Sequence, residues 1–195
     1  MSKLHKNTRL IHGKHAADPH RSITEPIYQT SEFAFDEIRE NTDLFGSETT
    51  DYVYTRLGNP TVRALENTVA DLEGGHQAVA TASGMAAVNV VMFAFAGQNK
   101  HVLCADSVYG STRAVMENDW KRFGVDVDFI DTSVQENIDA GIKDNTILVY
   151  IETPSNPRLK ITDIRKAAQS AHKCGALLVA DNTFAGPLYQ NPLAL

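Results

Sequence analysis

The sequence predicts an α/β fold with three layers, in which a mostly parallel sheet carries helices on both faces. Between residues 59 and 195, apolar runs of strand length alternate with segments of helix length, an order typical of parallel sheets. Residues 1–58 are mostly polar and lack a sustained period of 2 or 3.6 residues. We therefore expect an extended N-terminal arm over residues 1–58 and the first part of a larger domain over residues 59–195.

The sequence predicts both ends of the first helix of the domain. Asn59 suits the N-cap, Pro60 the first helical position, and Gly74 with Gly75 the stop. One apolar stripe runs along it, made of Val62, Leu65, Val69 and Leu72.

The later elements alternate to the end of the chain, and Thr162 is expected to cap the last helix. Around residue 127, alternating valine and aspartate indicate a strand with one solvated face, near a sheet edge. In chain order we expect a strand at 77–81, a helix at 85–96, a strand at 101–105, a helix at about 112–120, strands at 125–129 and 146–151, a helix at 162–174 and a strand at 176–180.

Composition and charge argue against two classes of partner. The formal net charge of −6 and the pI near 5.6 disfavour nucleic acid, whose binding requires clustered Lys and Arg. The sequence contains no apolar segment of the ~18 residues that a membrane span requires. The two cysteines, Cys104 and Cys174, lie in apolar surroundings and have no metal-ligand spacing, which favours buried, reduced thiols in a cytoplasmic protein.

Polar residues follow the expected strands, where ligands of open parallel sheets bind. In "ASGM", the amides of Gly84 and Met85 and the hydroxyl of Ser83 can hold a phosphate at a helix N-terminus. Alternatively, Ser83 is only an N-cap and Gly84 only a turn.

Four further polar residues have two interpretations each. Tyr109 can cover a flat ligand or pack over the sheet end, and Asn156 can bind a ligand oxygen or tie its own loop. Tyr54 and Arg56 project to one face of an extended segment, so they can bind one anion or form a surface pair.

The sequence resembles the Cys/Met metabolism family of pyridoxal phosphate (PLP) enzymes, which includes cystathionine γ-lyase, cystathionine γ-synthase, methionine γ-lyase and the homoserine sulfhydrylases. The matching stretches are "PIYQTSEF", "YTRLGNPT", "ASGMAA", "VYG", "IETPSNP" and "VADNTF", in family order. The resemblance implies the large domain of fold type I PLP-dependent transferases. It also implies a homodimer or homotetramer with shared active sites and a sulfur amino-acid or homoserine-ester substrate.

For the cofactor phosphate, the resemblance implies binding by Ser83, Gly84 and Met85 of the same subunit. Tyr54 and Arg56 would reach across a dimer interface to the phosphate bound by the neighbouring subunit.

For the cofactor ring, the resemblance implies four further residues. Tyr109 would stack on the ring and help to move protons, Asn156 would bond the ring hydroxyl oxygen, and Thr183 would lie near the ring face. Asp181 would face the ring nitrogen and keep it protonated, which makes the ring a better electron acceptor. The alternative for Asp181 is a cap on the following turn.

The lysine that would form a Schiff base with the cofactor is missing from the expected loops. None of the nine lysines follows the carboxyl end of an expected strand in a ligand-facing loop. In the family this lysine lies shortly beyond the position of Leu195. We therefore expect the chain to be the first half of such an enzyme, inactive by itself.

The function that follows is PLP-dependent elimination or replacement at the β or γ carbon of sulfur amino acids, of the cystathionine γ-lyase or γ-synthase type. Methionine γ-lyase is less favoured, because those enzymes often carry Cys where Ser111 stands here. The sulfhydrylases remain open. Two alternatives belong to other classes of protein. One is a non-catalytic truncated paralogue, and the other is a nicotinamide-dependent dehydrogenase. The dehydrogenase is disfavoured because the sequence lacks the G-x-G-x-x-G motif of dinucleotide-binding domains.

Overall fold

The computed structural model describes residues 4–12, 18, 20–34 and 52–195. The chain divides into two compact units, Met1–Ala80 and Thr81–Leu195. The expected boundary between arm and domain, at residue 58, lies inside the first unit and stays a prediction.

The first unit contains two described helices, α1 (Lys6–Ile11) and α2 (Pro60–Glu73). The side chain of Asn59 caps α2 by accepting a hydrogen bond from the Thr61 N–H at 2.9 Å. Gly74 follows α2 with a φ of +71°, a left-handed conformation that favours glycine. Both predicted ends of this helix are therefore confirmed. Of its apolar stripe, Leu72 is buried, whereas Val62 and Leu65 are exposed.

The second unit is built on a four-stranded sheet in which every pair of neighbouring strands is parallel. Its strand order is β2-β1-β3-β4, which confirms the expected parallel sheet and places β2 at an edge. The strands are β1 (His101–Ala105), β2 (Asp126–Ile130), β3 (Thr146–Glu152) and β4 (Leu177–Asp181).

Helices connect these strands and continue to the end of the chain. The segment after β1 begins as an α-helix, passes through a π-helical turn at Val115–Asp119 and ends as a 3₁₀ turn at Trp120–Phe123. The α-helices of this unit are α3 (Gly84–Phe95), α4 (Gly110–Ala114), α5 (Gln135–Gly141), α6 (Ile164–Lys173) and α7 (Gly186–Tyr189). None of the helices in the described ranges is long and apolar enough to cross a membrane.

The core has two layers because successive side chains of a strand point to opposite faces. On one face, Cys104 of β1 and Leu148 of β3 pack with Met92 of α3 and Met116. On the other face, the buried cluster contains Leu103, Val149, Ile138, Ala167 and Ala171, from β1, β3, α5 and α6. Both faces of the sheet are covered by helices, which confirms the three-layer prediction.

Three sequence-based expectations differ from the structure. Residues 77–81 do not form a strand, and the Ala80 N–H donates to the Glu66 carboxylate at 2.9 Å. The cap of α6 is Asp163, which accepts from the Lys166 N–H at 3.1 Å. Thr162 is buried, and its hydroxyl lies 2.7 Å from that of Thr132. Helix α5 was not expected.

The expectation that both cysteines are buried is wrong for one of them. Cys104, in the centre of the sheet, is buried, whereas Cys174, which directly follows α6, is exposed.

Candidate active site

A cavity of about 370 Å³ lies in the second unit, where strands β3 and β4 end. This volume is within the range of ~300–1,000 Å³ that is usual for small-molecule sites. The cavity brings together every predicted site residue of this unit. Its lining residues are Ser83, Gly84, Met85, Val88, Tyr109, Thr112, Glu152, Asn156, Asp181, Thr183 and Phe184.

The N-terminus of α3 forms one wall of this cavity. The Ser83 hydroxyl caps the helix by accepting a hydrogen bond from the Ala86 N–H at 3.1 Å. The next two amides, of Gly84 and Met85, belong to the first turn, whose N–H groups have no partner within a helix. A Cβ built on Gly84 would meet no atom within 4 Å, so the backbone there is open to a ligand. Ser83 is an N-cap, and the capped turn still suits an anion.

Asp181 ends β4 and also lines the cavity. One carboxylate oxygen, Oδ1, accepts from the Thr183 N–H at 3.1 Å and from its hydroxyl at 2.5 Å. The turn-capping interpretation of Asp181 therefore describes a real contact, yet the carboxylate is still at the cavity wall. Burial raises the pKa of Tyr150, and the nearby charge of Asp181 adds to that rise, so this phenol stays neutral.

Tyr109 and Asn156 come from the loops that follow β1 and β3. Tyr109 is 47% exposed, which argues against the interpretation that its ring is packed away over the sheet. The loop of Asn156 is held through its backbone N–H, which donates to Glu152 at 2.6 Å. A ligand can therefore be contacted by the Tyr109 ring and the Asn156 amide.

Glu152 is a site residue that the sequence reasoning missed. It ends β3, is 5% exposed, and lines the cavity. Its Oε2 accepts from the Tyr109 N–H and its Oε1 from the Asn156 N–H, each at 2.6 Å. Burial raises the pKa of Glu152, and these two hydrogen bonds oppose that rise. A carboxylate that closes an apolar strand, the pattern that singled out Asp181, could have identified it.

Tyr54 and Arg56 belong to the first unit. The Arg56 guanidinium carbon lies 5.1 Å from the centre of the Tyr54 ring, and Tyr54 forms an antiparallel bridge with Glu32. The two side chains are therefore adjacent, as expected from their spacing. Their contact with a phosphate stays a prediction.

No lysine of residues 52–195 is among the residues that line the cavity. Lys160, on the loop after β3, is paired with Asp131 at 2.8 Å and with Asp106 at 3.4 Å. In the described parts of the chain, no cluster of His, Cys, Asp and Glu side chains could hold a metal ion.

The lining of the cavity fits the chemistry of PLP. A capped helix N-terminus suits its phosphate, a carboxylate suits a protonated ring nitrogen, and an exposed aromatic ring suits its flat ring. The side chains of Val88 and Phe184 add apolar surface. The phosphate, the ring nitrogen and the flat ring of the cofactor thus each have a suitable partner in one cavity, and the individual residue roles stay predictions.

Comparison with known proteins agrees with this chemistry. The family model of the Cys/Met metabolism PLP-dependent enzymes matches residues 7–195. The chain is 41% identical to the L-methionine gamma-lyase of Fusobacterium nucleatum, covering 100% of this chain and 50% of that protein. It is 42% identical to the cystathionine gamma-lyase of Bacillus subtilis, covering 98% and 48% respectively.

A solved structure gives the same result at the level of the fold. It is described as an O-acetylhomoserine (thiol)-lyase from Campylobacter jejuni and contains N'-pyridoxyl-lysine-5'-monophosphate. It matches with a TM-score of 0.91 and 31% identity over 98% of this chain and 47% of that one. The chain thus spans about half the length of the relatives that it matches. It belongs to the Cys/Met metabolism family of PLP-dependent enzymes.

Proposed function

We propose that the protein carrying this chain catalyses PLP-dependent elimination or replacement at the β or γ carbon of a sulfur amino acid or homoserine ester. The preferred type is cystathionine γ-lyase or γ-synthase. The observation that carries the proposal is that the α3 N-terminus, Tyr109, Asn156 and Asp181 all line the same cavity.

Each of these groups has a task in that reaction. When bound, PLP withdraws electrons from the substrate and so permits loss of the proton on Cα. Asp181 holds a proton on the ring nitrogen, which strengthens that withdrawal. The Tyr109 ring stacks on the cofactor ring, and its hydroxyl helps to move protons. Thr183, which donates two hydrogen bonds to the Asp181 carboxylate, lies near the face of the cofactor ring.

The remaining predicted residues hold the cofactor in place. Ser83, Gly84 and Met85 bind its phosphate through a hydroxyl and first-turn amides, and Asn156 binds the ring hydroxyl oxygen. Tyr54 and Arg56 of one subunit reach the phosphate of its neighbour, in a homodimer or homotetramer. We infer that residues 1–58 act as an arm toward that neighbouring site, and that the protein works in the cytoplasm.

The choice between substrates rests on one position. Relatives named methionine gamma-lyase and cystathionine gamma-lyase are similarly identical to this chain, at 41% and 42%. Ser111, at the start of α4, is the residue that favours a cystathionine enzyme over a methionine γ-lyase. The alternative activities are methionine γ-lyase and O-acyl-homoserine sulfhydrylase. The alternative of another class is a non-catalytic paralogue that binds a partner subunit.

The test compares the chain of residues 1–195 with the product of the whole reading frame. Both are incubated with PLP, and binding is followed by the visible absorbance of the cofactor and by size-exclusion chromatography. We expect the whole product to bind PLP stoichiometrically and to turn over cystathionine faster than methionine or acylated homoserines. Turnover of methionine alone would select methionine γ-lyase. Failure to bind PLP in the whole product would contradict the enzyme proposal and favour the binding subunit.

A further inference from the structure

Glu152 contacts two loops that the chain separates widely. Tyr109 lies 43 residues before it and Asn156 four residues after it, and each donates its backbone N–H to a different carboxylate oxygen. Both bonds are short, at 2.6 Å, and the side chain that accepts them is almost fully buried. One carboxylate therefore bridges the loop after β1 and the loop after β3.

A carboxylate is well suited to this position. Its two oxygens can accept from two separate N–H groups at once, and hydrogen bonds to a charged acceptor are stronger than neutral ones. The site has to compensate the cost of burying a charge, and the two N–H donors do so. Neither a glutamine nor an aspartate reproduces this arrangement, because one has a single acceptor oxygen and the other is shorter by one methylene.

We propose that Glu152 is a positioning residue that fixes the Tyr109 loop and the Asn156 loop to each other and so sets both side chains for the cofactor. The claim that Glu152 sets these side chains for the cofactor rests on the proposed function, whereas the claim that it fixes the two loops does not. Because Tyr109 and Asn156 approach the cavity from different strands, their spacing depends on a group that contacts both loops. In the register of the sheet, Glu152 lies beside Asp181, the last residue of β4, and both side chains line the cavity.

The first test measures amide hydrogen exchange by mass spectrometry in the whole reading-frame product without cofactor. Peptides over residues 106–112 and 153–159 report the two loops, and peptides from β1 and β3 report the core. In Glu152→Gln we expect exchange to rise about ten-fold or more in one loop, because the single amide oxygen of glutamine can accept from only one of the two N–H groups. Exchange in the other loop should rise less, since its hydrogen bond is kept but no longer goes to a charged group. Exchange in the strands should stay as in the wild type.

Two further variants make the result specific. Glu152→Asp keeps the charge and both acceptors, so its loops should exchange at rates between those of the wild type and Glu152→Gln. Glu136→Gln, a change at an exposed glutamate on α5, serves as the matched control and should leave both loops unchanged. Unchanged exchange in both loops of Glu152→Gln, or an equal increase through the whole sheet, would overturn the proposal.

The second test measures PLP affinity by fluorescence titration of the same proteins. We expect the affinity of Glu152→Gln to fall about ten-fold, with Glu152→Asp in between and Glu136→Gln unchanged. If the wild type binds no PLP, the proposed function fails, while the exchange result still decides whether Glu152 fixes the loops. Unchanged affinity in Glu152→Gln alongside loosened loops would overturn the claim that the bridge sets the cofactor site.

Discussion

Glu152 and Asp181 lie opposite each other at the carboxyl ends of the neighbouring strands β3 and β4. Both carboxylates line the same cavity, but their surroundings differ. Glu152 is buried and accepts two backbone hydrogen bonds from other loops, whereas Asp181 is less buried and bonds Thr183. Burial raises the pKa of Glu152, and the charge of Asp181 adds to that rise. We assign the first carboxylate to positioning and the second to the ligand.

Replacing Asp181 by Asn should weaken PLP binding by about ten-fold or more in the whole reading-frame product, because a charge-assisted hydrogen bond to the ring nitrogen is lost. The amide oxygen of Asn can still accept from Thr183, so thermal stability should change little. Fluorescence titration measures the affinity. Asp119→Asn, at an exposed position outside the cavity, is the control. Equal affinity in Asp181→Asn and Asp119→Asn would contradict the assignment.

The matched variants Tyr109→Phe and Tyr109→Ala should separate the ring of this residue from its hydroxyl. The phenylalanine keeps the aromatic face, so most of the PLP affinity should remain, while kcat should fall if the hydroxyl moves protons. The alanine should lose about ten-fold in affinity, a loss of order 1 kcal/mol from stacking. Binding titration and steady-state kinetics give both values. A phenylalanine variant that binds as weakly as the alanine variant would show that the ring does not stack.

Asp131 should make stability depend on pH in the acid range. Its hydrogen bonds with Lys160 and Ser133 lower its pKa from 3.8 to about 2 in the folded protein. When the pKa of a carboxyl group is lower in the folded than in the unfolded protein, its ionised form stabilises the fold at pH values above the unfolded-state pKa. This stabilisation is lost as the pH falls through the folded-state pKa. The wild type should therefore exceed Asp131→Asn by about 1 kcal/mol or less at pH 6, since the pair is partly exposed. This difference should disappear between about pH 4 and pH 2.

Urea unfolding at several pH values measures this difference. In a Lys160→Met background, the effect of Asp131→Asn should become smaller, because the main partner of the carboxylate is gone. A difference that is constant from pH 6 to pH 2 would contradict the role assigned to this pair.

Met92 should contribute strongly to the stability of the second unit, because it is completely buried between α3 and the sheet. Met92→Ala should lower the free energy of unfolding by about 2–5 kcal/mol, the cost of a cavity in a packed core. Val90, on the same helix but 50% exposed, provides the control. Val90→Ala should change stability by about 0.5 kcal/mol or less. Equal losses in urea unfolding would mean that α3 buries a different face.

The sequence was sufficient for features that depend on neighbouring residues. The cap at Asn59, the stop at Gly74 and the strands of the sheet follow from local patterns, and the structure confirms them. The polar residues after the strands were also visible, because parallel strands end at one edge of a sheet. Residues 77–81 were misassigned, since a strand forms only where another strand can accept its hydrogen bonds.

The sequence by itself indicated that Tyr109, Asn156 and Asp181 follow strands of an α/β layer, since each comes after an apolar run. Ser83 was expected after a strand at 77–81 that does not form, and its place at a helix N-terminus followed from the helix pattern instead. Only the tertiary structure decided the strand order β2-β1-β3-β4 and the contact of Glu152 with a residue 43 positions away. The physical reason is that such contacts depend on how the helices pack the strands together. Pairings between distant segments are set by burial of the whole core, which no local pattern encodes.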